Sequence, residues 1–155
     1  MRILPRFRQR RSKSFETSCG CDLGHGHCVA SRIIAERAFE FACRIVKLCE
    51  TLWTRGLAAR KIADQLFDCG TSIGANADEA EGAQTKPDFI AKLAIARKES
   101  RETVFWLQLA VRAGVATREE ISWELDEAKQ LRAMITQAVK TAQASQSRDS
   151  VNHQP

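Results

Sequence analysis

Three cysteines and two histidines lie within ten residues, in the segment CGCDLGHGHC at residues 19–28. The C-x-C and H-x-H spacings in it are tighter than those usual for zinc, and no second ligand cluster follows to complete a zinc finger. Its three glycines also raise the entropy that is lost on ordering. We therefore predict no metal site and no cofactor. Zinc or copper binding is the alternative, with the acceptable ligands Cys19, Cys21, His25, His27 and Cys28.

A second chemical motif is GTSIG, from Gly70 to Gly74, which matches the G-x-S-x-G pattern of hydrolase nucleophile elbows. That elbow needs a preceding strand and a histidine base, but its surroundings have helical periodicity and residues 29–152 contain no histidine. The same lack of histidine excludes the Glu-x-x-His pairs of bundle di-metal sites and the usual base of a catalytic thiol. We predict that the chain is not an enzyme, and that Gly70 and Gly74 let another helix backbone approach.

The elements that carry these residues follow from the apolar pattern. From residue 31 onward, apolar residues recur in alternating steps of three and four, which keep side chains on one stripe of an α-helix. Such a stripe leaves water only by packing against other helices. No segment alternates with a period of two, so we expect no strand. The stripes run from Ile34 to Leu52, Ile62 to Ala80, Phe89 to Ala110 and Ile121 to Ala142, and they include Leu48, Asn76 and Ala138.

Turn and capping signals separate the four stripes. Gly56, Gly82 and Gly114 follow the first three stripes, as glycine at helix ends often does. The segments 85–88 and 117–120 each place a threonine three residues before an acid, which is typical of a capping box. Similar helix lengths and short connections favour antiparallel neighbours. The predicted fold class is all-α, an up-down-up-down four-helix bundle with disordered N-terminal and C-terminal tails.

We divide the chain into a flexible basic, Cys/His-containing extension (residues 1–30), a four-helix bundle domain (31–144) and a disordered tail (145–155). Residues 1–28 hold six basic and two acidic residues, a net charge of +4, which leaves +1 for the rest of the chain. The basic character is therefore mostly a property of the extension. The sequence has neither a secretory signal nor a membrane-length apolar run, so we expect a cytoplasmic protein with reduced cysteines and no membrane partner.

Residues 70–115 carry a further set of motifs. These are SIGAN from Ser72 to Asn76, Glu79 and Gly82 on the second helix, then DFIAKLAIA, KESRET and Trp106-Leu107 on the third. In these motifs the chain resembles the four-helix bundle proteins related to those encoded in intervening sequences of bacterial large-subunit ribosomal RNA. The resemblance implies a homo-oligomer, a pentameric barrel of such bundles. It also implies nucleic-acid or reverse-transcriptase partners, and no established enzyme activity.

Four polar residues lie on or beside the stripes of the second and third helices. An unsatisfied buried polar group costs about 1–3 kcal/mol, so such residues should find partners. We expect a hydrogen-bonded layer that fixes helix register, in which Glu79 pairs with Arg97 or Arg101. A ligand or catalytic pocket is the alternative. The members of the layer are Asn76, Glu79, Ser100 and Thr103.

Several large apolar residues exceed what one core-facing stripe needs. A second apolar stripe on a helix usually marks a partner surface. We interpret these residues as subunit contacts, the alternative being that they widen the core. The candidates are Trp53, Ile90, Phe105, Trp106 and Trp123.

Basic residues on the first three helices are the candidates for binding nucleic acid. Interspersed acids make a solvated mixed face the alternative, although a ring of subunits would repeat a weak basic patch and raise its avidity. The chain is thus predicted to be a homo-oligomeric accessory protein for nucleic acid or a nucleic-acid-processing enzyme, or else a protein-binding scaffold. The candidate residues are Arg37, Arg44, Lys47, Arg60, Lys61, Arg97 and Arg101.

Overall fold

The alternating apolar steps become four α-helices in the computed structural model, which describes residues 25–151 and the side chains of residues 29–147. Within that part of the chain no strand occurs, so the all-α prediction is confirmed. None of the helices found between residues 25 and 151 is long and apolar enough to cross a membrane. The helices are α1 (His25–Trp53), α2 (Leu57–Glu81), α3 (Lys86–Arg112) and α4 (Ser122–Val151).

The outer two helices are longer than the predicted bundle of residues 31–144. Helix α1 begins at His25, and α4 continues to Val151. Residues 145–151 contain neither glycine nor proline. Each residue added to an existing helix gains a backbone hydrogen bond without a new nucleation cost, so polar residues without a stop signal can extend it. Residues 1–24 and 152–155, which make up most of the predicted extension and the end of the predicted tail, lie outside the described residues.

Each helix packs against its neighbours in chain order, and α1 and α4 close the bundle. Facing residues have rising numbers on one helix and falling numbers on the next, which makes neighbouring helices antiparallel. The facing pairs are Ile45–Gly70 and Ala38–Gly74 between α1 and α2, Cys69–Thr103 and Glu79–Lys92 between α2 and α3, and Arg37–Glu127 between α1 and α4. Arg55 just after α1 likewise faces Glu120 just before α4.

The GTSIG stretch is a site of close helix contact, as predicted. A Cβ added at Gly70 would lie 2.7 Å from Cγ2 of Ile45. One added at Gly74 would lie 3.2 Å from Cβ of Ala42 and 3.3 Å from the carbonyl oxygen of Ala38. Helix α2 therefore approaches α1 to a distance that only residues without a side chain allow.

The core contains most of the predicted stripe positions, and the whole α3 stripe from Phe89 to Ala110 is buried. Three positions elsewhere are wrong by one residue. A helix with 3.6 residues per turn drifts by about 20° per heptad relative to a repeat of 3.5, so the next residue comes to face the core. The buried residues there are Cys49, Ala77 and Val139, whereas Leu48, Asn76 and Ala138 are only partly buried.

The connections confirm most of the predicted turn chemistry. The Thr85 hydroxyl accepts a hydrogen bond from the Asp88 amide at 3.3 Å. Thr117 and Glu120 form a reciprocal box, in which each side chain accepts from the other's amide at 3.2 and 2.8 Å. Gly56 has a φ of 106° and Gly114 a φ of 68°, a backbone conformation that favours glycine. The chain therefore turns at both places without strain.

Candidate functional site

Arginines of α1 and glutamates of α4 join these two helices. The guanidinium of Arg37 donates to both carboxylate oxygens of Glu127, at 2.8 and 2.7 Å, and to the side-chain oxygen of Gln130 at 3.0 Å. The Arg37 side chain is 36% exposed and that of Glu127 only 11%. The hydrogen bond to Glu127 raises the pKa of Arg37, because it favours the charged guanidinium by more than burial opposes it.

A second such contact lies about two turns along α1. Nε and Nη2 of Arg44 donate to one oxygen of Glu124, at 3.0 and 2.8 Å, and the guanidinium lies 4.4 Å from the ring centroid of Trp123. The other Glu124 oxygen is buried and accepts no hydrogen bond from the residues that the structure describes. Trp123 also stacks on the buried Phe41 at 6.3 Å. Arg44 is thus held by a carboxylate and an aromatic face together.

These contacts place two of the candidates for binding nucleic acid, Arg37 and Arg44, in ion pairs, in agreement with the alternative of a mixed face. Carboxylates of α4 engage Arg37 and Arg44, because α4 presents glutamates along the side that packs on α1. Arg60 donates from Nε to the Trp53 carbonyl oxygen at 2.9 Å, at the end of α1. The candidates of α1 and α2 therefore do not combine into one cationic surface, although Lys47 is exposed.

The outer face of α3 carries basic residues that, unlike the two paired arginines of α1, form no ion pair with the described residues. Arg97, Lys98 and Arg101 line a shallow depression of about 400 Å³ together with Glu102. Within residues 29–147, none of these three cations makes an ion pair, and Glu102 instead accepts from the Trp106 indole at 3.4 Å. This cluster of Arg97, Lys98 and Arg101 is called the α3 cationic patch below.

An exposed aromatic ring continues the α3 cationic patch. Phe105 follows Arg101 by one helical turn and is 57% exposed. Its ring meets the Trp106 ring edge to face, with centroids 5.2 Å apart. Basic side chains beside an exposed aromatic ring can bind a phosphate backbone and stack an unpaired base.

The sequence predicts that Asn76, Glu79, Ser100 and Thr103 form one hydrogen-bonded layer. In the structure they form hydrogen bonds with other residues instead. Asn76 donates to the Ser72 carbonyl oxygen at 2.9 Å and Ser100 to that of Arg97 at 2.8 Å, both within their own helices. Thr103 crosses to α2, where its hydroxyl oxygen lies 3.1 Å from Sγ of Cys69. A short side chain on a helix readily returns to the preceding turn, so Asn76 and Ser100 satisfy themselves locally, and Thr103 also donates to the Glu99 carbonyl oxygen at 2.9 Å.

Glu79 pairs with Lys92 and not with Arg97 or Arg101. Lys92 lies near the start of α3, next to the end of α2 that carries Glu79. The antiparallel order places Arg97 and Arg101 farther along α3. The ion pair raises the pKa of Lys92.

The apolar candidates divide into two groups. Ile90 and Trp106 are half-buried and pack against the core, in agreement with the core-widening alternative, whereas Trp53, Phe105 and Trp123 expose much of their rings. Sequence reasoning missed exposed apolar residues on α1 and α2, above all Phe39 and Phe67. The signal for those on α1 was present, since Phe39, Val46 and Trp53 recur every seven residues.

A groove of about 570 Å³ lies between α1 and α2. Trp53 and Phe67, which are 49% and 46% exposed, form its aromatic walls. Burial raises the pKa of the Cys49 thiol in this groove to about 12. The term α1/α2 groove is used below for the lining residues Val46, Cys49, Glu50, Trp53, Ala63, Asp64, Phe67 and Asp68.

The structure tests neither the prediction of no metal site at residues 19–28 nor its zinc or copper alternative. Cys19 and Cys21 lie outside the described residues, and only the helical backbone of His25, His27 and Cys28 is described. Over the part of the chain that the structure covers, no group of three or more His, Cys, Asp or Glu side chains is placed to hold a metal ion.

The fold and its faces define the class of the protein as an antiparallel four-helix bundle. Residues 31–137 match the family described as 23S rRNA-intervening sequence protein, and the chain belongs to this family. It is also similar to a crystal structure of a protein with unknown function, from the S23 ribosomal protein family, from Bacteroides thetaiotaomicron. The two share 36% identity over 72% of this chain and 98% of that chain, with a TM-score of 0.65. No curated protein matches the chain.

Proposed function

We propose that this chain is a non-catalytic, self-associating accessory protein that binds single-stranded nucleic acid through the outer face of α3. Its partners in this proposal are RNA or DNA and an enzyme of reverse-transcriptase type. The family description names an rRNA intervening sequence, which makes RNA the first nucleic acid to test. The free thiols Cys43, Cys49 and Cys69 agree with a reducing, cytoplasmic location.

The observation that carries this proposal is the contrast between the basic residues of α1 and those of α3. Arg37 and Arg44 have their charges balanced by Glu127 and Glu124, so a phosphate would have to displace a carboxylate. No carboxylate among the described residues forms an ion pair with the α3 cationic patch, although Glu102 lies beside it, and Phe105 offers a ring for base stacking.

Self-association multiplies this weak patch. The bundle alone carries a net charge near zero, so one subunit attracts a nucleic acid only weakly. A ring of five subunits would present the α3 cationic patch five times, and the later contacts would form at high effective concentration. Exposed rings such as Trp123 supply apolar surface for subunit contacts. Native mass spectrometry should give five times the chain mass of 17.3 kDa.

Titration of a labelled single-stranded RNA, followed by fluorescence anisotropy, tests the nucleic-acid proposal. The variant Arg97→Gln/Lys98→Gln/Arg101→Gln should bind about tenfold more weakly or worse, because each phosphate contact contributes to affinity. The matched control Arg118→Gln/Lys129→Gln/Lys140→Gln removes the same charge elsewhere and should bind nearly as the unmodified protein does. Equal losses in both variants would mean that net charge alone attracts the RNA, against the proposal.

The second candidate is a protein-binding scaffold without nucleic-acid binding. The α1/α2 groove favours it, because exposed Trp53 and Phe67 lie beside the carboxylates of Glu50, Asp64 and Asp68, which repel phosphate. This candidate predicts that the RNA is not retained at any salt concentration.

A further inference from the structure

The α1/α2 groove combines two features that together select one kind of ligand. Its walls are apolar and aromatic, with about half of each of the Trp53 and Phe67 rings open to solvent. Its rim is acidic and carries Glu50, Asp64 and Asp68. The cations beside it are Lys61, whose Nζ lies 3.9 Å from Asp64, and Arg60, whose Nε donates to the Trp53 carbonyl oxygen. A peptide with alternating cationic and apolar side chains fits such a groove, since its cations pair with the rim and stack on the indole ring.

The chain contains a segment of this kind outside its described residues. Residues 1–15, MRILPRFRQRRSKSF, hold six basic residues and no acid, interleaved with Ile3, Leu4 and Phe7. The bundle itself is nearly neutral, so the segment carries most of the chain's net positive charge, opposite in sign to the acidic rim. Charge complementarity therefore points to this segment as the occupant.

The length of the chain allows the same molecule to supply the occupant. From His25 to Trp53, α1 rises by about 42 Å at 1.5 Å per residue. The 18 residues from Phe7 to Gly24 span up to about 59 Å when extended, at about 3.3 Å each, so they can bring Phe7 to the level of Trp53. Because the segment and the groove belong to one chain, docking is intramolecular and needs weaker contacts than docking of a separate peptide.

We propose that residues 1–15 dock in the α1/α2 groove of their own chain, with basic side chains on the carboxylate rim and an apolar side chain such as Phe7 between Trp53 and Phe67. This assigns the groove a peptide ligand, and the proposal does not rest on nucleic-acid binding. Docking removes the basic segment from competition with the α3 cationic patch. It also covers an aromatic surface that would otherwise face water.

Limited proteolysis of the full chain with chymotrypsin tests the proposal. Cleavage after Phe15 is followed by intact mass and compared with cleavage of a synthetic peptide of residues 1–24. Protection of about tenfold in the protein corresponds to a segment that is docked about nine-tenths of the time. Reversing the charge of the rim with Asp64→Lys/Asp68→Lys should remove this protection. Reversing the charge of the segment with Arg8→Glu/Arg10→Glu should remove it as well. Combining both reversals should restore it.

The control Glu119→Lys/Asp126→Lys reverses two acids near the start of α4 and should leave the protection unchanged. Cleavage of the unmodified protein at the rate of the free peptide overturns the proposal, as does protection that survives the rim reversal. Protection that grows with protein concentration assigns the groove to the segment of a second copy and overturns the same-chain assignment. Circular dichroism verifies that each variant folds. If the rim variant does not fold, the unmodified protein is tested at higher salt instead. Raising the salt from about 0.1 to 1 M must abolish the protection, because the electrostatic screening length falls from about 10 to 3 Å.

Discussion

Arg37 on α1 and Glu127 on α4 form two parallel hydrogen bonds of 2.8 and 2.7 Å. Such a two-bond contact fixes the relative position of its partners more strongly than a single charge pair does. Arg55, two residues after the end of α1, and Glu120, two residues before the start of α4, make a second contact of the same kind, at 3.0 and 2.7 Å. Ion pairs thus align α1 with α4, whereas α1 and α2 are aligned by the close contact at Gly70.

Removing Arg37 should destabilise the bundle. The variant Arg37→Ala leaves the largely buried Glu127 carboxylate without its main partner, and we expect a loss of about 1–2 kcal/mol in the free energy of unfolding, reduced by the partial exposure of Arg37. The double variant Arg37→Leu/Glu127→Leu should recover most of the loss, because it buries no unpaired charge. Urea denaturation measures both variants. A double variant less stable than Arg37→Ala would contradict this account.

Gly70→Ala should also destabilise the protein, although alanine is favoured in helices by about 1 kcal/mol over glycine. The added Cβ would lie 2.7 Å from the branched Ile45 side chain, which has little rotamer freedom, so we expect overpacking to win by about 1–2 kcal/mol. Gly82→Ala is the matched control, since its nearest contact lies 3.8 Å away. In thermal unfolding, the Tm of Gly70→Ala should be lower than that of the unmodified protein. The Tm of Gly82→Ala should be equal to it or higher. The reverse order would exclude the close contact.

The fold was predictable from sequence because the apolar repeat and the glycines act locally. Seven of the eight buried residues of α3 follow from a repeat within one helix, and the packing role of Gly70 and Gly74 follows from their size. The partners of Arg37 and Arg44 were not predictable, because a mixed surface contains many acids and only the packing of α4 selects Glu127 and Glu124.

The candidate site was only partly predictable for the same reason. The sequence named Arg97 and Arg101 as basic candidates and Phe105 as an excess apolar residue, but it could not show which cations stay unpaired. It likewise missed the α1/α2 groove, which needs Phe67 of one helix beside Trp53 of another. Contacts between helices depend on their rotation about their own axes, which a repeat fixes only to within about one residue.

Acid should weaken the contact at the α3–α4 connection. The hydrogen bond from Arg55, together with the Thr117 amide, lowers the pKa of Glu120 to about 2, against an ordinary value of 4.5. The stabilisation that this group provides is therefore complete above about pH 4.5 and is lost as the pH falls toward 2. The difference in Tm between the unmodified protein and Glu120→Gln should shrink to nothing over this window. The Tm of the control Glu119→Gln should differ little from that of the unmodified protein at every pH. A Tm difference for Glu120→Gln that stays constant from pH 5 to 2 would refute the contact.

The buried thiols should resist alkylation in the folded protein. Burial raises the pKa of Cys49 to about 12 and that of Cys69 to about 11, against an ordinary 9.0. The thiolate fraction at pH 8 is then about a thousandfold lower for Cys49, and about a hundredfold lower for Cys69, than in the unfolded chain. Iodoacetamide labelling with peptide mapping, in buffer and in urea, measures the ratio for each cysteine. Equal rates in both solvents would place these thiols in water.

The salt dependence of RNA affinity tests the central functional claim most directly. We expect the logarithm of the affinity to fall linearly with the logarithm of salt concentration, with a slope set by the number of phosphates contacted. The variant Arg97→Gln/Lys98→Gln/Arg101→Gln should lower the magnitude of that slope by about 2, at about 0.7 per phosphate of a single strand. Neutralising Arg2, Arg6, Arg8, Arg10 and Arg11 should leave the α3 contribution intact. An unchanged slope in the α3 variant, with the slope lost in the N-terminal one, would contradict the account.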